Sequence, residues 1–109
     1  MFIAYAEGAP VALAGAYRDG SVDVANLFSM WTDPTWRRRG VARALIGRIL
    51  VWVRDTGGSV IELWVTEGNE AASALYRSLG FEPTNDRQPL PSNPSKTEVR
   101  MRRSICDVP

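Results

Sequence analysis

The sequence predicts an α/β domain of the α+β kind, one domain over residues 1–109, with a mixed, largely antiparallel sheet and helices on both its faces. Three observations predict it. Short apolar runs separated by turn signals fill the first third of the chain, which is the pattern of an antiparallel meander. From Val41 the apolar period lengthens to that of a helix. Strand-like and helical segments then alternate, and a strand-helix-strand unit requires a parallel pairing somewhere in the sheet.

The elements follow in order. Phe2 to Ala6 reads as a strand closed by the turn "EGAP". Val11 to Tyr17 reads as a second strand, closed by "RDGS", whose Asp19-Gly20 pair is a hairpin signal. Val22 to Thr32 reads as a third, stopped by Asp33-Pro34, because a proline cannot donate to a ladder. Val41, Leu45, Ile49 and Trp52 then fall at helical spacing, with Ala42, Ile46, Leu50 and Val53 on the adjacent stripe. This helix ends near "DTGG". Ser59 to Thr66 has the composition of a buried strand. Asn69 is placed to cap a second helix through Ala72, Leu75, Tyr76 and Leu79, with Gly80 as its stop. Phe81 begins a further strand, "EPTNDRQPLPSNPSK" reads as a long Pro-rich connection, and "TEVRMRRSI" alternates as a half-exposed strand does.

Composition narrows the function. Thirteen Lys and Arg against twelve Asp and Glu leave a formal charge of +1, too balanced for a general nucleic-acid binder. There is no histidine and a single cysteine, Cys106, so zinc constellations and histidine-based triads are excluded and no metal is expected. No apolar run reaches the ~20 residues of a membrane span, and the opening "MFIAYAEGAP" lacks the features of a signal peptide. A cytoplasmic location is expected.

The arginines matter by position. "DPTWRRRGVARALI" sets Arg37, Arg38 and Arg39 directly before Gly40 at a helix start. Such a start leaves backbone N–H groups unpaired, and its dipole favours an anion. Gly40 permits close approach of a ligand and small Ala42 does not block it. Arginine forks match phosphate oxygens. Taken alone, the motif is equally a solvated basic corner. The second segment, "NEAASALYRSLGF", carries Asn69 and, two helical turns on, Tyr76.

With both segments in the same order, the chain resembles the GNAT superfamily of acyl-CoA-dependent N-acetyltransferases, from about Phe2 to Ile105. The resemblance implies acetyl-CoA as cosubstrate and direct transfer of its acetyl group to a primary amine. It implies that backbone amides from Arg37 through Gly40 and Val41 to Ala42 hold the pyrophosphate, and that Arg38 and Arg39 reach the pyrophosphate or the 3′-phosphate. Met30, Trp31 and Thr32 would pair with the pantetheine arm, one of their N–H groups polarising the thioester carbonyl. Asn69 would bind the same arm and Tyr76 would protonate the leaving thiolate. The glutamate base of some members falls at Trp64 here; Glu62, two residues earlier on the same strand face, is the substitute candidate, acting through water. The chain begins where the family's second strand lies, so the usual first strand and two helices that line the acceptor site are absent from it. An exposed strand edge and self-association, a homodimer, are therefore expected. The alternative of a different class is a CoA-binding sensor or interaction module without turnover.

Overall fold

A computed structural model describes residues 2–18, 23–37 and 39–105. Arg38, the Asp19-Gly20 turn, Val22 and Cys106 lie outside the described residues. The chain forms two compact units, Met1–Ile61 with Ser104–Pro109, and Glu62–Arg103.

The first unit is a meander of β1 (Phe2–Ala6), β2 (Ala9–Arg18) and β3 (Val24–Thr32), backed by α1 (Val41–Asp55). Glu7 and Gly8 both take positive φ, 53° and 79°, so β1 and β2 join through the tight two-residue turn that matches strand twist. The register sets Phe2 opposite Ala14, Ile3 opposite Leu13 and Ala4 opposite Ala12. One face of this sheet carries the completely buried alanines Ala12, Ala14 and Ala25. Small side chains there let α1 approach closely. The helix buries Leu45, Ile46, Ile49, Leu50 and Val53, each contributing about 1.5–3 kcal/mol through removal of its apolar surface from water. Phe2 lies on this side too, its ring edge-on to Trp52 with centroids 5.8 Å apart. At the far end of the helix, the Arg18 guanidinium donates to the Thr56 carbonyl, a cation where the helix dipole favours one. Asp33 ends β3 as expected: its carboxylate accepts from the Thr35 amide (2.9 Å) and hydroxyl (2.7 Å), nucleating a short 3-10 turn over Pro34–Trp36. These two bonds to the charged form hold the Asp33 carboxyl below its usual range.

The second unit holds β4 (Val60–Thr66) from Glu62 on, α2 (Glu70–Ser78), β5 (Glu82–Leu90) and β6 (Asn93–Ser104) as far as Arg103, with ladder order β4-β6-β5. Leu63, Val65, Tyr76, Phe81, Val99 and Met101 make its buried set. Asn69 caps α2, its Oδ1 accepting from the Ala72 amide at 3.2 Å. The Pro-rich segment corrects the sequence expectation: residues 82–96 are a hairpin rather than a long irregular connection. Pro83 pairs with Met101 and Pro89 with Thr97. β5 is tolerant of proline because it sits at the end of its ladder, where one side of the strand has no hydrogen-bond partner to satisfy.

Candidate active site

The residues singled out for phosphate binding sit at one turn of the first unit. Gly40 is the N-cap of α1, with φ 79° and ψ 5° and no side-chain cap bond. That left-handed conformation suits glycine and strains other residues. Among the described residues, and apart from its chain neighbours, no atom lies within 4 Å of where a Gly40 Cβ would stand, so these residues leave the approach to this backbone open. The first helical bond runs from the Ala44 amide to the Gly40 carbonyl at 3.0 Å, which leaves the Val41 and Ala42 amides without an intrahelical acceptor. Arg37 Nε reaches the Thr32 carbonyl at 3.4 Å, tying the loop to the end of β3. Arg39 stacks on Trp36, its guanidinium carbon 4.8 Å from the ring centroid. A groove of about 450 Å³ opens beside this turn, with Val11, Trp36, Val41 and Leu45 in its wall and Arg39 and Arg48 among its lining residues.

Met30, Trp31 and Thr32 lie at the end of β3, next to an irregularity the sequence does not announce. Leu13 pairs with Trp31 and Gly15 with Phe28, so β3 carries one more residue than β2 across this interval. The extra residue forms a bulge in which Ser29 takes φ 55°. Bulges release peptide groups from the ladder and re-aim them, and a non-glycine residue in the left-handed region stores about 1–3 kcal/mol of strain. Ser29 is the residue that sequence reasoning missed: within "NLFSMWT" it reads as plain strand.

The other candidates belong to the second unit. Asn69 spends its carbonyl oxygen on the cap, and its amide group keeps its donors. Beside it is a depression of about 630 Å³ bordered by Thr66, Glu67, Gly68, Lys96 and Thr97, where Lys96 contributes a cation no motif flagged. Tyr76 is the one buried residue of α2. Its ring meets Phe81 edge-on at 5.8 Å. Burial pushes the phenol above its ordinary value, because an apolar surrounding disfavours phenolate.

Glu62, the candidate base, is buried and ion-paired. Arg102 donates from Nε to Glu62 Oε2 at 2.8 Å, and its Nη2 lies 2.5 Å from the same oxygen. Arg100 approaches Oε1 at 3.8 Å, bonds Asp86 at 3.3 Å and stacks on Trp64 at 4.7 Å. A carboxylate held this way cross-links β4 to β6. Glu62→Gln is therefore expected to cost about 1–3 kcal/mol, since a buried carboxylate's charge-assisted bonds are lost. Thermal unfolding measures that loss. A kcat that falls while Tm holds would instead mark Glu62 as a base.

Together these features make an α+β fold with an anion-receptive helix start following a bulged strand. The chain belongs to the acetyltransferase (GNAT) family, whose model matches residues 1–81. It is 37% identical over 67 residues to the [ribosomal protein bS18]-alanine N-acetyltransferase of Escherichia coli strain K12, a match covering 62% of this chain and 45% of that protein, so the chain spans about half the length of this curated relative. The crystal structure of the ribosomal-protein-S18-alanine N-acetyltransferase from Escherichia coli superposes with a TM-score of 0.78 at 28% identity, over 93% of this chain and 65% of the other. A Bacillus anthracis protein solved in complex with acetyl coenzyme A shares the fold, with a TM-score of 0.82 at 19% identity, over 94% of this chain and 60% of that one.

Proposed function

We propose that this chain is an N-acetyltransferase that binds acetyl-CoA and passes the acetyl group directly to a primary amine. The observation that carries the reading is the Gly40 turn: a left-handed glycine, an open backbone approach and unpaired helix-start amides, all inside the region the family model matches. Acetyl-CoA supplies an acetyl group activated as a thioester. In this reading the Val41 and Ala42 amides hold the pyrophosphate, and Arg37, Arg38 and Arg39 add charge for it or for the 3′-phosphate. Peptide N–H groups of Met30, Trp31 and Thr32, next to the bulge at Ser29, hydrogen-bond the pantetheine arm and the thioester carbonyl. Asn69 holds the arm through its side-chain amide. Tyr76, kept neutral by burial, donates its proton to the departing sulfur. Glu62 is committed to Arg102, so the acceptor amine enters as the free base, and the proton its nitrogen sheds on forming the amide passes to water, from which Tyr76 is reprotonated after giving its own proton to sulfur.

The test is ligand binding followed by turnover. CoA at about 100 times its Kd is expected to stabilise the folded chain by ~2.7 kcal/mol, read as a rise in Tm. Thiol release from acetyl-CoA should then appear with some member of an amine panel. Stabilisation without thiol release would identify a CoA-binding module, and no stabilisation would remove the anion-seat reading. Arg39→Ala should weaken CoA more than dephospho-CoA if Arg39 holds the 3′-phosphate, and both equally if it holds the pyrophosphate. Titration calorimetry separates the two.

A further inference from the structure

Two carboxylates are buried among the described residues, Glu62 and Glu98, each 7% exposed. Their surroundings differ. Arg102 binds Glu62, whereas no cation among the described residues reaches Glu98. Glu98 lies on β6, the middle strand of the β4-β6-β5 ladder. It projects from the face opposite buried Val99 and Met101. The Glu67 amide donates to the Thr97 carbonyl at 2.8 Å, and Arg100 lies over Trp64. The same register sets Glu98 across from Thr66 of β4. On its other side stands Gln88 of β5, whose Nε2 donates to Glu98 Oε1 at 2.5 Å. Oε2 takes no hydrogen bond among the described residues and is not sealed from the surface. The neighbouring cations are placed elsewhere. Arg100 is engaged by Asp86 and Glu62. Lys96, two positions back on the same face, makes no ion pair among the described residues. A buried carboxylate held by one neutral donor is destabilising until a positive charge meets it.

We infer that Glu98 Oε2 receives an ammonium group of the acceptor, which is a small aliphatic diamine or polyamine. One nitrogen takes the acetyl group as the free base, and a second stays charged on Glu98. This rests on the acetyl-transfer reading, in which Asn69 holds the pantetheine arm. The depression of about 630 Å³ links the two residues. Asn69 borders it, and so do Thr66, which faces Glu98 across the ladder, and Thr97, its chain neighbour. That volume is in the range of small-molecule sites. The donor set selects an organic cation. A metal ion takes several oxygen ligands at once, and the described residues gather no group of three Asp, Glu, His or Cys side chains suited to one. An ammonium needs one open carboxylate oxygen and forms a charge-assisted bond with it.

The experiment compares putrescine, a diamine, with butylamine, its monoamine counterpart, on the 109-residue chain and two variants. Calorimetry without CoA reads the cation site alone. Putrescine should bind at least ~10-fold tighter than butylamine, as a hydrogen bond to a buried charge predicts. Glu98→Gln should remove that difference. Glutamine keeps an oxygen for Gln88 and removes an uncompensated charge, so Tm should hold or rise, the opposite of the loss expected for Glu62→Gln. Lys96→Met takes a like charge from the rim of the depression and should tighten putrescine. In turnover, the same preference should appear in the KM for the amine. Putrescine binding without thiol release from acetyl-CoA supports the cation site and removes the acetyl-transfer reading. Equal binding of the two amines overturns the proposal, as does a Glu98→Gln variant that binds putrescine like the wild type. A fall in Tm with Lys96→Met would make Lys96 the partner of Glu98 and overturn it as well.

Discussion

Tyr76→Phe is expected to lower kcat by about 10²- to 10⁴-fold while CoA affinity stays within a small factor. The substitution keeps the ring, and with it the edge-on contact to Phe81, so the fold is preserved. Only the proton donor is lost. The pH profile carries the second part of the prediction. Burial raises the phenol above its ordinary value of 10.0, so its protonated form persists to higher pH than a free tyrosine's. The wild-type rate should therefore rise as the acceptor amine deprotonates and decline only above pH ~10, where the phenol begins to ionise. In the phenylalanine variant the descending limb should vanish along with the rate. A variant at wild-type kcat with the same limb assigns the proton to solvent. The same shift bears on stability: below pH ~10 both folded and unfolded phenols are protonated and burial of Tyr76 is fully stabilising. As pH rises through the unfolded value, the unfolded chain loses its proton first and that stability is lost.

Gly40→Val is expected to act twice. At φ 79° a β-branched residue is strained, costing about 1–3 kcal/mol, which for a chain of this size lowers Tm by roughly 4–8 °C for each kcal/mol. Its side chain also enters the open approach to the helix start, so CoA affinity should fall at least ~10-fold, or ~1.4 kcal/mol. Gly40→Asn separates the two effects, because asparagine tolerates the left-handed region while still adding a side chain. That variant should lower Tm less than valine does and still lose affinity. If it binds CoA as the wild type does, the pyrophosphate does not rest on this turn.

Much of this architecture is written in local chemistry. The helix from Val41 is legible from its 3.6-residue period, and its start from Gly40. The Asn69 cap and the Asp33-Pro34 stop are decided within three or four residues, which is the range a sequence reading commands. What escaped it depends on distant partners. The hairpin formed by β5 and β6 is hidden because Pro83, Pro89, Pro91 and Pro94 read as irregular chain; only the ladder order makes a proline-bearing strand tolerable there. The strained Ser29 has no local signal, since its φ is imposed by the unequal spacing of β2 and β3. Nothing near Glu62 in sequence names its partner, because Arg102, which binds it, lies forty positions later.

The prolines of β5 also govern how the chain meets its own kind when folding fails. A strand that ends a ladder offers its outer amides as a template for fibrillar stacking, and Pro83 and Pro89 each remove one such donor, while Glu82, Asp86 and Arg87 bring charge to the same strand. β1 has no such gatekeeper: "FIAYA" contains neither proline nor charge. Aggregation of a destabilised chain should thus nucleate at its first strand, with the β5 end protected by its own composition.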